Sequence, residues 1–269
     1  MQYDPIKRGL GSVFNKTPGM RKVFYNLLDL LLLRSWHIHK ELNKWSTKTK
    51  NKAIHILDAG AGFGQYTYWL SRKNPEWNIL AVDVKEEQVR DCNLFFREIG
   101  AQKVLFKVAD LTKYTVPESF DLILAVDVME HIEEDELVFQ NFAKSLKKGG
   151  MLLISTPSDQ GGSDVQEEGE SSFIEEHVRD GYNIDEIKKK ILASGFSEVE
   201  AYYSYGTPGS ISWRLSMKYP IKMLGATKLF YALLPFYYTA TYPFSFLLNW
   251  IDVNFNNKKG TGLIVKAWK

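Results

Sequence analysis

Residues 54–66, Ile-His-Ile-Leu-Asp-Ala-Gly-Ala-Gly-Phe-Gly-Gln-Tyr, join an apolar run to a glycine-rich loop and to the start of a helical pattern. Glycine permits tight turns and a close approach of the backbone to a ligand, and a helix that follows presents unpaired N–H groups at its start. A strand, a glycine loop and a helix in this order indicate a ligand-binding turn at one end of an α/β sheet.

The spacing of the glycines argues against a dinucleotide site. The dinucleotide fingerprint Gly-x-Gly-x-x-Gly would place its third glycine at position 65, but the chain has Gln65 there and Gly64 one residue earlier. Asp58, two residues before the first glycine, would repel a pyrophosphate, whereas it suits a cationic ligand. An NAD-dependent oxidoreductase is therefore a distant alternative.

From residue 53 onward, apolar runs alternate with helical patterns, which is typical of βαβ units in a mainly parallel sheet. Strands are predicted at 53–58, 78–83, 103–108, 120–126, 151–155, 198–205 and 262–268. Helices are predicted between them at 65–73, 86–99, 133–147 and 184–194. The predicted fold class is α/β, with a Rossmann-like sheet of seven strands.

Two segments lie outside this alternation. The first is a basic arm, residues 1–52, with eleven Lys or Arg against three acids and apolar residues at helical spacing. The second is an aromatic-rich insertion, residues 209–257, whose stretch 229–251 carries no charge. Pro235 and Pro243 are expected to break that stretch, and its Tyr and Trp side chains favour an interface over a transmembrane helix. We therefore predict an amphipathic helical arm (1–52), a sheet domain (53–208 and 258–269) and a helical hairpin (209–257).

Several motifs in order resemble those of class I S-adenosylmethionine-dependent methyltransferases. Asp58 and the three glycines match acid-x-Gly-x-Gly-x-Gly, and acids end the next two strands at Asp83 and Asp110. The resemblance implies S-adenosylmethionine as cofactor, with Asp83 accepting hydrogen bonds from the ribose hydroxyls and with Asp110 and Leu111 at the adenine. The residues expected at the cofactor are Asp58, Gly60, Ala61, Gly62, Gly64, Asp83, Val84, Asp110, Leu111 and Asp127.

Each of these acids has an alternative interpretation. A single acid at such a place usually caps a helix or lies on a solvated strand end. The shared position of Asp58, Asp83 and Asp110 at the carboxyl ends of strands favours ligand binding, because open α/β sheets bind ligands in the crevice there.

Residues 127–131, Asp-Val-Met-Glu-His, look similar to the acid-x-x-Glu-His segment of the ubiquinone-pathway O-methyltransferases. In that family such residues lie beside the acceptor and in some members hold a divalent metal. The resemblance implies His131 as a general base, or a metal held by Asp127, Glu130 and His131. Alternatively, Glu130 and His131 cap a helix and fill the pocket wall. His177 is a second candidate to reach the acceptor, the alternative being a surface histidine.

The resemblance implies O-methylation of a lipophilic or aromatic small molecule by in-line methyl transfer, in which the enzyme holds the two reactants close and removes a proton. The alternatives are methylation of a macromolecule, RNA or protein, and a non-catalytic S-adenosylmethionine-binding module. The chain has Asp-Val-Met-Glu after the fourth strand in place of the Asn-Pro-Pro-Tyr type of tetrapeptide, which disfavours amino groups of bases. No nucleic-acid partner is expected.

The surroundings of the sheet suggest where the protein works. A single cysteine, Cys92, and the absence of a secretory pattern in the first residues favour the cytoplasm. The uncharged insertion with basic flanks predicts an apolar lid over the acceptor, a contact with an anionic membrane surface, or a homodimer interface. The sequence leaves these three open.

Overall fold

The centre of the molecule is one mixed sheet. The computed structural model describes residues 17–49, 53–161, 178–227 and 230–269, and within these ranges the sheet has seven strands. The strands are β1 (His55–Ala59), β2 (Asn78–Asp83), β3 (Val104–Val108), β4 (Phe120–Val126), β5 (Leu146–Pro157), β6 (Glu198–Ser204) and β7 (Gly262–Trp268). Their order is β3-β2-β1-β4-β5-β7-β6, and β7 runs antiparallel to both of its neighbours. The predicted Rossmann-like α/β sheet is confirmed.

Helices cover both faces of this sheet. They are α1 (Pro18–Leu31), α2 (Leu33–Lys48), α3 (Gln65–Lys73), α4 (Glu86–Glu98), α5 (Asp135–Ser145), α6 (Ile184–Ala193), α7 (Thr207–Trp213), α8 (Tyr219–Ala226) and α9 (Phe230–Asn254). A 3₁₀ turn, Met129–His131, follows β4, and a π-helical turn, Arg214–Lys218, joins α7 to α8. The four predicted crossover helices correspond to α3, α4, α5 and α6.

The central strand β4 shows why the sheet is buried on both sides. Leu122 and Leu124 belong to a cluster that includes Ile38 of α2 and Leu70 of α3. Ile123, between them, points to the opposite cluster, which is formed with α5 and α6. Continuous apolar runs of this kind are what a doubly covered parallel strand requires.

The largest difference from the predicted strand boundaries is in β5. β5 begins at Leu146 rather than at residue 151, and α5 ends at Ser145 rather than at 147. Leu146 pairs with Phe120, and the register then shifts before Met151 pairs with Leu122. The shift occurs where Gly149 adopts a φ of 77°, so this glycine forms a turn within the strand.

The expectation that Pro235 and Pro243 break the insertion is wrong, since both lie inside the continuous helix α9. Contacts with the preceding π-helical turn hold this helix in place. The hydroxyls of Tyr237 and Tyr238 donate to the carbonyls of Leu215 and Ser216, each at 2.8 Å. Proline removes a backbone hydrogen bond, but tertiary contacts can outweigh that loss. None of the helices in the described ranges has the length and hydropathy of a membrane-crossing segment.

Candidate active site

The glycine loop between β1 and α3 is packed at one position and open at another. Gly60 and Gly62 have φ angles of 71° and 54°, in the left-handed region that glycine tolerates best. A Cβ atom at Gly60 would lie 2.4 Å from Cγ2 of Val128, which follows β4. A Cβ atom at Gly62 would meet no atom within 4 Å. The loop therefore packs against the end of β4 through Gly60 and leaves space beside Gly62 for a ligand.

Asp58 lies under this loop with almost no solvent contact. Its Oδ2 accepts a hydrogen bond from Thr67 Oγ1 at 2.5 Å. Burial, together with the negative charge of Asp83, raises the pKa of Asp58 to about 6, although the Thr67 hydrogen bond opposes the rise. A nearby cation would favour the ionised carboxylate. The site therefore fits a cationic ligand such as S-adenosylmethionine.

Asp83 ends β2 and fastens the glycine loop. Its Oδ2 accepts from the Gly62 N–H and its Oδ1 from the Lys85 N–H, both at 2.9 Å. A carboxylate oxygen can accept two hydrogen bonds, so each oxygen keeps capacity for a ligand hydroxyl. Ala61 lies beside the end of the same strand, because its backbone N–H donates to the Val82 carbonyl at 2.9 Å.

The ends of β2 and β3 are adjacent, since the Ala109 N–H donates to the Asp83 carbonyl at 3.0 Å. The Asp110 carboxylate is half-exposed and accepts from the hydroxyl and the N–H of Thr112, which lowers its pKa. Leu111 is buried, whereas Val84 is exposed at the edge of the site. The structure thus gathers the ten residues expected at the cofactor along the carboxyl edge of the sheet.

Asp127 ends β4 in an uncommon backbone conformation, with a φ of 52°. Its N–H donates to the Ser155 carbonyl at 2.9 Å, and its carboxylate forms an ion pair with Arg34 of α2. The Arg34 Nε is buried and has no hydrogen-bond partner among the described residues. The backbone N–H of Arg34 donates to the Tyr205 hydroxyl at 3.1 Å. Arg34 was not among the residues predicted for the site, because no local sequence pattern connects a residue of the basic arm with the end of β4.

Glu130 and His131 lie in the 3₁₀ turn that follows. Glu130 is buried and accepts from Thr156 Oγ1 at 3.1 Å, and burial raises its pKa to about 7 against the opposing effects of hydrogen bonding and of Arg34 and Arg179. His131 is half-buried, and its N–H donates to the Val128 carbonyl at 3.1 Å. His177 lies outside the described residues.

The described residues contain no group of three or more His, Cys, Asp or Glu side chains arranged to hold a metal ion. Asp127 pairs with Arg34, whereas Glu130 bonds to Thr156. The structure therefore does not assemble Asp127, Glu130 and His131 into a set of metal ligands.

A buried ionic cluster fixes the position of the 3₁₀ turn. Arg179 donates to Asp135 Oδ2 at 2.5 Å and to the Glu133 carbonyl at 3.1 Å. The Tyr182 hydroxyl donates to the Met129 carbonyl at 3.1 Å. These bonds connect the segment before α6 to the start of α5. They hold the turn that carries Glu130 in one orientation.

The amino-terminal helices form one wall of the site. Gln65, the first residue of α3, donates from Nε2 to Asp29 Oδ1 at 2.7 Å and to Ser35 Oγ at 3.0 Å. Ser35 Oγ also lies 3.3 Å from the hydroxyl of the buried Tyr66. The arm thus packs directly against the start of α3, beside the glycine loop.

Known proteins share this architecture. A family model described as a methyltransferase domain matches residues 50–195. A phosphoethanolamine N-methyltransferase of Triticum aestivum is 29% identical over 148 residues, which are 54% of this chain and 28% of that protein. A malonyl-[acyl-carrier protein] O-methyltransferase of Priestia megaterium is 28% identical over 118 residues, covering 44% of this chain and 42% of the relative. The chain thus spans less than half the length of either relative.

A solved structure extends the likeness in fold. Phosphoethanolamine N-methyltransferase 2 of Haemonchus contortus, in complex with S-adenosyl-L-methionine, has a TM-score of 0.60 to this chain at 18% identity, over 91% of this chain and 60% of that one. The resemblance seen in the sequence motifs is therefore confirmed. Because the family model covers more than half of its residues, the chain belongs to the methyltransferase-domain family.

Proposed function

We propose that this enzyme methylates an oxygen atom of a lipophilic small molecule. The observation that carries the proposal is the packing of Val128 against Gly60, at a distance that leaves no room for a Cβ. This packing holds residues 127–131 directly beside the glycine loop. Glu130 and His131, two side chains of the types that serve as general acids or bases, therefore adjoin the region where the methyl donor would bind.

The cofactor residues have distinct proposed roles. Asp58 would stabilise the positive charge of the cofactor, and Asp83 would accept from its ribose hydroxyls. Asp110 and Leu111 would contact the adenine, with Val84 at the rim. Gly60, Ala61, Gly62 and Gly64 would let the backbone approach the ligand. These roles are supported by the open space beside Gly62 and by the buried carboxylate of Asp58.

Proton removal is assigned to His131. When bound, S-adenosylmethionine supplies an electrophilic methyl group on a sulfonium centre. His131 would accept the proton of the acceptor hydroxyl as the hydroxyl oxygen attacks the methyl group. Glu130 is the neighbouring group that could take part in this proton transfer, since its pKa is about 7. Asp127 would be held at the edge of the site by Arg34. His177 stays a second proposed contact of the acceptor.

The lipophilic character of the acceptor is inferred from the helical cover. Trp36 of α2 and Phe246 of α9 meet edge to face, with ring centroids 5.0 Å apart. The Tyr66 ring is buried and the Tyr205 ring is half-buried, and both lie near Arg34. These aromatic side chains of the helical cover would provide contacts for an apolar molecule with one polar end.

A second candidate is methylation of an amine. The carboxylates of Asp127 and Glu130 at the end of β4 would favour a cationic acceptor, and a phosphoethanolamine N-methyltransferase is among the similar proteins. The two candidates differ in the chemistry of the acceptor but share the cofactor site.

One assay tests both candidates. The purified protein would be incubated with S-adenosylmethionine carrying a trideuterated methyl group and with alkyl phenols, long-chain hydroxy acids or alkyl amines. Mass spectrometry would then detect transfer of the label. We expect transfer to the hydroxyl compounds. The rate for His131→Asn should fall by a factor of roughly 100 or more, because a general base contributes a factor on the order of 10²–10⁴ to a rate.

The control for this assay is His55→Asn, a histidine at the exposed start of β1. Labelling of amines alone would replace the O-methylation proposal by the second candidate. Full activity of His131→Asn would remove this side chain from proton transfer.

A further inference from the structure

Helix α9 buries several polar residues on one side and exposes large apolar ones on the other. Ser245, Asn249 and Asp252 are each only 1% exposed. On the other side, Phe236, Phe244, Leu247 and Trp250 are 75, 67, 54 and 48% exposed, and we call these four residues the aromatic face. Surface helices normally show the reverse arrangement. A contiguous exposed apolar patch marks a site of interaction.

The buried contacts of Asp252 fix this orientation. Asp252 Oδ1 lies 2.9 Å from His37 Nε2 and accepts from the Tyr205 N–H at 3.1 Å. Its Oδ2 accepts from the Gly209 N–H at 3.1 Å. Rotation of α9 to bury the aromatic face would leave these buried groups without partners, which is costly. The aromatic face is therefore held outward by the fold itself.

The apolar surface continues onto α1. Val23, Leu27 and Leu30 are exposed at helical spacing along this helix. The Tyr242 hydroxyl of α9 donates to the Leu30 carbonyl at 3.5 Å, which joins the two helices. The exposed apolar surface thus has contributions from both the basic arm and the insertion.

The charge around this surface has one sign. Residues 207–261 contain six basic side chains, Arg214, Lys218, Lys222, Lys228, Lys258 and Lys259, and one acid, Asp252. That acid is buried, whereas Lys258 and Lys259 are exposed. Aromatic side chains with surrounding Lys and Arg are the composition of helices that lie in the interface of an anionic bilayer.

We propose that α9, with α1 beside it, docks on the surface of an anionic membrane. The helix lies parallel to the bilayer, with Phe236, Phe244, Leu247 and Trp250 at the boundary between headgroups and acyl chains. Lipid phosphates and carboxylates neutralise the basic residues around the aromatic face. A second copy of the chain fits this surface less well, because a two-fold interface would set the same positive charges against each other. The proposal does not depend on which acceptor atom is methylated.

Flotation with lipid vesicles tests the docking. The full chain would be mixed at low salt with vesicles of phosphatidylcholine alone or of phosphatidylcholine with phosphatidylglycerol. We expect it to float with the anionic vesicles and to stay at the bottom with the neutral ones. The double variant Phe236→Ser/Phe244→Ser should bind the anionic vesicles roughly tenfold less or weaker still, because two large apolar contacts are lost. Lys258→Glu/Lys259→Glu should also bind less.

The control is Leu94→Ser/Leu192→Ser, which removes two exposed apolar side chains on α4 and α6, far from α9 in the sequence. This variant should float like the unmodified protein. Circular dichroism would verify that each variant is folded. The proposal is overturned if the unmodified protein stays at the bottom with anionic vesicles, or if Phe236→Ser/Phe244→Ser floats unchanged. A concentration-dependent dimer that this variant abolishes, in a protein that does not float, would assign the aromatic face to a second copy.

Discussion

At the scale of single residues, Asp83 combines two functions in one carboxylate. It binds the backbone of the glycine loop at Gly62 and keeps acceptor capacity for a ligand. Asp83→Ala should therefore weaken binding of S-adenosylhomocysteine by roughly 1–3 kcal/mol, the scale for hydrogen bonds to a charged group. Isothermal titration calorimetry would measure this change, and thermal unfolding without ligand would show whether the fold is retained. Unchanged affinity would leave Asp83 as a tether of the loop alone.

The pKa of Asp58 predicts how cofactor binding depends on pH. Its value of about 6 reflects burial of the carboxyl group. A ligand with an ammonium group favours the ionised carboxylate, so the ligand lowers this pKa and binding releases a proton below neutral pH. The affinity for S-adenosylhomocysteine should therefore rise between about pH 5 and about pH 7.5. Calorimetry across this range would measure the rise, and Asp58→Asn should flatten it. An equally steep rise in that variant would assign the titration to another group.

The candidate acids of the site could be predicted from the sequence, but Arg34 could not. Asp58, Asp83 and Asp110 each follow a recognisable strand, and the carboxyl ends of parallel strands meet at one edge of a sheet. Arg34 reaches Asp127 from a helix 93 residues earlier in the chain. In the sequence, Arg34 is only one of the eleven basic residues of the arm, and nothing sets it apart from the others. Long-range ion pairs of this kind depend on packing that periodicity does not encode.

At the scale of elements, the strands were predictable because their signals are local. Apolar runs bounded by glycine or polar residues located β2, β4 and β7 at their observed bounds. The start of the helix predicted at 184–194 is likewise local, since the Asn183 side chain caps α6 by accepting from the N–H groups of Asp185 and Glu186. Helix α9 was not predictable in the same way. Its prolines signal a break, whereas the tyrosine contacts that hold it continuous come from another part of the chain.

At the scale of the whole molecule, the basic arm and the insertion form a joint helical cover. In the sequence, residues 1–52 and 209–257 were predicted as separate units. In the structure, α2 contacts α9 through His37 and Asp252, and α1 and α2 contact the start of α3. One cover thus connects the proposed membrane-facing side with the wall of the active site. Binding at the aromatic face would therefore involve the same helical cover that contains Arg34.

The hub of this cover is Asp252, and its removal tests whether cover and sheet unfold together. Asp252→Ala leaves His37 and the N–H groups of Tyr205 and Gly209 buried without their acceptor. We expect a loss of about 3–5 kcal/mol in the free energy of unfolding, because truncating one partner leaves the others desolvated and unpaired. Urea denaturation followed by circular dichroism would measure the change, with the exposed Glu98→Ala as the control of equal charge change. A single unfolding transition at a lower urea concentration would show that cover and sheet form one cooperative unit, as these buried contacts require. Stability equal to that of the control would mean that Asp252 does not hold the cover.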